Sequence, residues 1–327
     1  MSHYQVLGIG NAIVDVIANA DDTFLDHMGI QKGIMQLIER DRAEVLYAAM
    51  ENRNQKPGGS VANTLAGLGN LGLNTAFIGR VRDDALGRFY ADAMAQDGTD
   101  FVNPPVADAD LPTSRSMIFV SPDGERSMNT YLGVSADLGP SDVPEGVTAD
   151  VVFLEGYLFD KPQGKDAFKA TARAVQASGG LAGIAISDPF CVERHRADFL
   201  DLIKNDLSYV IGNKAEMCAL FEIEDLDAAL AKCAEISPLV VCTRSEEGCT
   251  IIKDGARVDV STTPVVPVDA TGAGDAFAAG FLYGLVTGQS MEIAGKMGCT
   301  TASEVIAQIG PRTERALKEL FAEKGLI

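Results

Sequence analysis

Val266-Pro267-Val268-Asp269-Ala270-Thr271-Gly272-Ala273-Gly274-Asp275-Ala276-Phe277 is the stretch that decides the fold. An apolar extended run, Thr263 to Val268, enters it, and a small-residue helical pattern, Ala276 to Leu285, leaves it. Gly272-Ala273-Gly274 therefore stands at a loop-to-helix junction. Backbone N–H groups are unpaired at a helix N-terminus, the macrodipole is positive there, and residues without bulk let a phosphate reach the main chain. Asp275 puts a carboxylate beside those amides, where it would repel a polyphosphate. Two readings stand side by side. Asp275 is a favourable acid in a helix first turn, or it is a base that orients an attacking hydroxyl and takes its proton.

Composition narrows the function classes. The chain has 327 residues, enough for a large core and for two domains, although an α/β fold of this size is often one unit. Its 27 basic and 46 acidic residues give a net charge of −19, which argues against binding nucleic acid or anionic membranes. A nucleotide is not excluded, because local amides and a few cations hold a phosphate, and Val265 to Gly274 contains one acid, Asp269. The longest near-continuous apolar run, Phe277 to Val286, is about half of what crosses a bilayer. Met1-Ser2-His3-Tyr4 carries no basic residue other than His and runs into a strand pattern, so no signal peptide and a cytoplasmic location are expected. Six cysteines without a Cys-x-x-Cys pair and three histidines make a zinc site unexpected; buried, reduced thiols are the expectation.

Along the chain, Tyr4 to Gly10 reads as a buried strand ending at Asn11, and Ile13-Val14-Asp15-Val16-Ile17 continues extended. Alternation puts Ile13, Asp15 and Ile17 on one face; the ordinary account of Asp15 is an edge-strand charge facing water. Asp41 to Met50 reads as a helix. Pro57-Gly58-Gly59-Ser60 breaks the chain before a helix from Ser60 to Leu71, for which Ser60 is a suitable N-cap. Gly67-Leu68-Gly69-Asn70-Leu71-Gly72 matches the dinucleotide-binding fingerprint in letters, but a helix precedes it and the strand Thr75 to Gly79 follows. That is the wrong order, and it reads as a glycine-ended helix. Met117 to Val120 and Arg126 to Leu132 flank Pro122-Asp123-Gly124 as a hairpin, with Met128, Thr130 and Leu132 alternating to one side opposite Met35 and Leu37. From Val151 onward short strands alternate with helices: strands at 151–154, 183–186, 207–211 and 239–243, helices at 167–177 and 226–234. This is the pattern of a doubly wound, mostly parallel sheet with ligands at the strand C-termini. Asn213-Lys214-Ala215-Glu216 follows one such strand and has the letters of a capping box.

Asp269 to Phe277, together with Asn11…Asp15, Gly58-Gly59 and Asn213-x-x-Glu216, resembles the signatures of the ribokinase-like (PfkB) small-molecule kinases, and the resemblance runs the full length. It implies an α/β fold with helices on both faces and a small β-rich lid: a core of residues 1–12, 41–112 and 137–327 and a discontinuous lid of 13–40 and 113–136. It implies ATP and Mg2+, with Gly272, Ala273 and Gly274 as the anion hole, Asp275 as catalytic base, and Arg126 meeting the nucleotide phosphates. Asn11, Asp15, Gly58, Gly59, Ser60 and Asn63 would hold the acceptor, and Met128 and Leu132 would cover it. Asn213, Glu216, Thr243, Gly248, Thr271, Gly272 and Gly274 would serve the nucleotide, Glu216 touching the metal through water. Ser245 departs from the usual Thr-x-Gly-x-x-Gly run. Gly10 to Asp15 and Ser187-Asp188-Pro189-Phe190 are similar to the adenosine kinase branch, so adenosine, in purine salvage, is the expected acceptor and a sugar such as ribose or fructose the alternative. The expected assembly is a monomer or homodimer.

Overall fold

Fourteen strands form within residues 3–327, the part of the chain that the computed structural model describes. Met1 and Ser2, part of the expected leaderless N-terminus, lie outside the described residues. In chain order the strands are β1 (His3–Ile9), β2 (Ile13–Asn19), β3 (Met35–Leu37), β4 (Asn54–Gly58), β5 (Thr75–Ile78), β6 (Thr99–Phe101), β7 (Ser114–Val120), β8 (Arg126–Tyr131), β9 (Thr148–Glu155), β10 (Leu181–Ala185), β11 (Tyr209–Asn213), β12 (Leu239–Thr243), β13 (Cys249–Lys253) and β14 (Ala256–Val260). Nine of them make the larger sheet, ordered β14-β13-β12-β11-β10-β9-β1-β5-β6. Its members from β6 across to β12 pair in parallel; β13 and β14 extend it as an antiparallel hairpin.

Each central strand feeds two cores. On β9, Val151 and Phe153 join Val6, Tyr209, Ile211 and Val241 on one face, while Val152 and Leu154 join Leu7, Ile9, Ile184 and Val210 on the other. Strands buried on both faces read as continuous apolar runs, which is why they were legible. Helices Ser60–Asn70, Ala273–Val286 and Met291–Ile306 cover the first face, and Pro162–Ala177 and Pro189–Asp206 the second. Helix Ala273–Val286 is buried on all sides from Ala276 to Gly284, as a helix without a polar face must be. Chain order reverses at β1, with β5 and β6 on one side and β9 onward on the other, so the ligand crevice of such a sheet lies beyond the C-terminal ends of β1 and β9.

The second sheet, β3-β8-β7-β2-β4, stands over that crevice. The β7–β8 hairpin forms as its turn residues predict, with the Gly124 N–H donating to Ser121 O at 2.8 Å. Asp15 is not an edge charge: β2 is flanked by β7 and β4, and Val14 and Val16 are buried beneath it while Ile13, Asp15 and Ile17 share the half-buried face. Three expectations are corrected. β4 and the helix Arg40–Ala49 belong with the second sheet, although residues 41–112 were assigned to the core; Pro57 fits because β4 is an edge strand, where a missing donor costs no ladder bond. The run Thr263 to Val268 stays outside both sheets as the loop before the helix; Pro264 and Pro267 remove donors, and Val266 is 87% exposed. Ser60 is not the N-cap of its helix: Gly59 takes that position at φ 97°, a backbone that an L side chain rarely adopts. Leu132 leaves the alternating row, because β8 ends at Tyr131 and Leu132 turns helical (φ −72°, ψ −23°) into a short turn.

Candidate active site

Three pieces of chain converge at the crevice: the loop entering helix Ala273–Val286, the start of helix Ser60–Asn70, and the inner face of the second sheet. Gly272 makes the first piece possible. It sits at φ 77° as N-cap, and a Cβ there would stand 2.5 Å from the Pro311 ring. Of the first-turn amides that follow, Ala273 N donates to Ala270 O at 3.2 Å, Gly274 and Asp275 have no intrahelical acceptor, and the space over Gly274 is open. A turn of this kind can receive an anion.

Asp275 lies in that first turn. Its Oδ1 accepts from Ser60 Oγ at 2.6 Å and its Oδ2 from Asn63 Nδ2 at 2.9 Å, and Thr64 Oγ1 donates to its main-chain oxygen at 3.1 Å. Burial raises the carboxyl's pKa, while the Ser60 and Asn63 hydrogen bonds and the charge of Arg312 oppose the rise. Each oxygen keeps a lone pair, so the group can still accept from an incoming hydroxyl.

The second sheet brings the other carboxylate. Asp15 stands in a row with Ser116, Thr130 and Leu37, and the next row on the same face holds Ile17, Ile118, Met128 and Met35. Burial pushes Asp15 up to about 6, against the charges of Arg126 and Arg312 and with that of Asp275. The glycine pair serves close approach. A Cβ on Gly58 would meet the Asp15 carboxylate at 2.6 Å, and one on Gly59 would meet Asn11 O at 2.4 Å.

Arg126 crosses from β8 to the anion loop. Its Nη1 donates to Asp269 Oδ2 at 2.6 Å, and both side chains are about nine-tenths buried. Asp269 also accepts from the Thr271 and Gly310 amides, each at 2.9 Å. Burial works against its ionisation, yet the hydrogen bonds from Thr271 and Gly310 and the charge of Arg126 hold the carboxyl below its ordinary value. Nε and Nη2 of Arg126 are buried without a partner, donors that an anion would satisfy.

A cleft of about 580 Å3 runs away from Asp275 along Ala273, Gly274, Glu216, Thr243 and Gly248, a volume suited to a nucleotide. Thr271 and Gly272 form the turn at its edge. Asn213 and Glu216 make a full capping box: Asn213 Oδ1 accepts from Glu216 N at 2.9 Å, and Glu216 Oε2 from Asn213 N at 2.9 Å. Burial raises the Glu216 carboxyl to about 7. No cluster of three or more metal-ligating side chains occurs among the described residues. Mg2+ would draw most of its ligands from phosphate and water, and the carboxylate at hand is Glu216, whose two oxygens accept from Asn213 N and Nδ2.

Asn11 departs from its expected role. It is 4% exposed and its side chain is spent inward, Nδ2 donating to Glu155 Oε1 at 2.7 Å and Oδ1 accepting from Ser135 Oγ at 2.9 Å. Two residues escaped the sequence reading. Glu155 ends β9, 1% exposed and raised to about 7 by burial, and ties Asn11 and the Val61 amide together. Its signal was an acid closing the apolar run 151–154. Arg312 donates from Nε to Asn63 Oδ1 at 2.9 Å and pairs through Nη1 with Asp97. Its signal was a lone cation after the Gly310-Pro311 break.

An open helix first turn, an adjacent carboxylate and a nucleotide-sized cleft beneath a second β-sheet are the parts a small-molecule kinase needs. The family model "pfkB family carbohydrate kinase" matches residues 25–317, and the chain belongs to that family. A protein of Archaeoglobus fulgidus called an uncharacterized sugar kinase is 32% identical over 253 residues, covering 75% of this chain and 96% of its own. Two solved structures share the fold throughout. A probable sugar kinase from Rhizobium etli is 42% identical with a TM-score of 0.92, covering 100% of both chains. The adenosine kinase from Sinorhizobium meliloti is 45% identical with a TM-score of 0.91, covering 98% of this chain and 99% of its own. The protein is thus an ATP-dependent phosphotransferase acting on a sugar or nucleoside hydroxyl. No helix among the described residues is long and apolar enough to cross a membrane.

Proposed function

We propose that the chain phosphorylates the 5′-hydroxyl of adenosine. Asp275 orients and deprotonates that hydroxyl, the Gly272–Gly274 turn and first-turn amides receive the transferred phosphoryl group, and Arg126 supplies charge to it. Mg2+ bound with ATP would be served by the phosphates, with Glu216 contributing through water; it supplies charge neutralisation between phosphoryl oxygens.

The observation that carries the nucleoside reading is the pair of rows on the lid's inner face. Asp15 offers a carboxylate to ribose hydroxyls beside Ser116 and Thr130, whose own hydroxyls bond each other at 2.8 Å, and one strand repeat away, about 7 Å, Ile17, Met128 and Met35, backed by the buried Ile118, offer an apolar surface to a base. A free sugar has hydroxyls all round and would leave the second row unmatched. The 45% identity with the S. meliloti adenosine kinase supports the same reading. The sugar reading, with ribose or fructose as acceptor, draws on the sugar kinase names of the other two relatives.

ADP release measured with ATP across a panel of nucleosides and free sugars is the test. Adenosine should have the highest kcat/KM. Faster turnover of ribose or fructose transfers the assignment to the sugar.

A further inference from the structure

Arg312 lies outside every motif that drew attention to this chain, in the segment that follows helix Met291–Ile306. We propose that Arg312 is a positioning residue for phosphoryl transfer, holding the Asp275 carboxylate correctly turned through Asn63. The inference rests on the reading of Asp275 as the base.

Hydrogen-bond direction carries it. A guanidinium has donors only, so Arg312 Nε can bind only the oxygen end of the Asn63 amide, and it does so at 2.9 Å. The amide is thereby oriented, and its Nδ2 donates to Asp275 Oδ2 at 2.9 Å. Without Arg312 the orientation rests on the Asp275 carboxylate alone, against which a flipped amide would set an oxygen. Arg312 is anchored in turn by Asp97, which accepts from Nη1. Its neighbour Pro311 backs Gly272, so consecutive residues brace the anion turn and the base.

Charge points the same way. Asp275 faces Ser60 and Asn63 from helix Ser60–Asn70, Asp15 from β2, Glu155 from β9 and Arg312 from the C-terminal segment; Arg126 from β8 and Arg312 both act on Asp15. Two other carboxyls therefore surround the base, and both arginines are themselves paired, Arg126 with Asp269 and Arg312 with Asp97; Arg312 is the one whose charge reaches Asp275. Removing Arg312 raises the proton affinity of Asp275, so the acid limb of kcat moves to higher pH. Under saturation that limb reports the bound complex, not acceptor capture by Asp15.

The test is the pH profile of kcat for the full chain, with saturating ATP and with adenosine, or ribose if the panel favours the sugar. For Arg312→Gln we expect kcat to fall about tenfold, the acid limb to rise by about half to one unit, and the KM for ATP to stay within about threefold of wild type. Arg312→Lys keeps a cation but cannot serve Asn63 and Asp97 with one fork, so the limb should stay in place while kcat falls. An Arg312→Gln protein with wild-type kcat and limb, or one that loses only melting temperature with the limb unmoved, overturns the inference. If Arg312→Gln does not fold, wild-type kcat in Arg312→Lys overturns it. Asp275→Asn separates the two levels: activity there removes the base itself, whereas an inactive Asp275→Asn beside a normal Arg312→Gln removes only the role of Arg312.

Discussion

Gly58→Ala isolates the contact between the lid and the acceptor with a single methyl group. That methyl would stand 2.6 Å from Cγ and Oδ1 of Asp15 and 2.7 Å from Oδ2, closer than real Cβ contacts allow. The main chain cannot yield easily, since Asp15 is paired on both sides, to Lys56 of β4 and Ser116 of β7. The carboxylate must therefore rotate away. If it grips two adjacent hydroxyls, it loses two charge-assisted hydrogen bonds worth about 1.5–3 kcal/mol each, and retaining part of one leaves a net loss of about 3 kcal/mol. The expected result is a fall of about a hundredfold in acceptor kcat/KM. The KM for ATP should hardly change, because neither Gly58 nor Asp15 lines the nucleotide cleft. Steady-state rates with each substrate varied in turn, alongside a melting curve, decide the matter. Acceptor kcat/KM within about threefold of wild type in a folded Gly58→Ala protein would refute the placement of Asp15 on the acceptor. An equal rise in both KM values would make the effect a general distortion of the lid.

Asp275→Asn should leave ATP binding nearly unchanged by calorimetry and lower turnover by about a hundredfold or more; near-wild-type turnover removes it from the chemistry. Met128→Asp, which puts a charge on the apolar row, should weaken adenosine binding by about 1–3 kcal/mol and spare ATP; unchanged adenosine affinity counts against the nucleoside reading. Asp15 titrates at about 6 in the folded chain, above its ordinary 3.8, so acceptor kcat/KM should decline as pH falls through about 6. The same shift has a stability sign. Between about 4 and 6 the folded state holds a proton on Asp15 that the unfolded state has released, so this carboxyl reduces stability as pH rises through that window. Asp15→Asn should accordingly raise the melting temperature of the unliganded protein at pH 7.5 by about 2–4 °C, with a smaller gain at pH 4.5, while abolishing tight acceptor binding. Equal gains at both pH values would mean that the carboxyl does not titrate as described.

The sequence carries the large sheet openly because strands with two buried faces, such as 151–154 and 239–243, cannot afford polar interruptions. Helix 226–234 was legible to the residue for a similar reason, its small and apolar residues recurring at helical spacing after Asp225. β4 was hidden because an edge strand needs only one ladder, so Asn54-Gln55-Lys56-Pro57-Gly58 has no alternation to show. Contacts that depend on distant pairing were equally silent. Ser60 has the letters of an N-cap, and only the arrival of Asp275, 215 positions later, turns its hydroxyl toward the base. Glu155 and Asn11 satisfy one another across 144 positions, so each alone looks like a stray polar residue at a strand end.

Net charge was the least informative feature for nucleotide binding, and the site shows why. Charges farther apart than about 8 Å are largely screened at physiological salt, so most of the −19 is not felt by a phosphate at Gly274. What it meets is the open first turn of a helix and the spare donors of Arg126. Asp269, which would repel it, is neutralised by Arg126 and two amides. Asp275 remains as the one uncompensated acid at the turn, tempered by Ser60, Asn63 and Arg312. A base must keep its charge next to a phosphate, and the hydrogen bonds from Ser60 and Asn63 that turn the Asp275 carboxylate are also those that oppose the rise in its pKa that burial imposes.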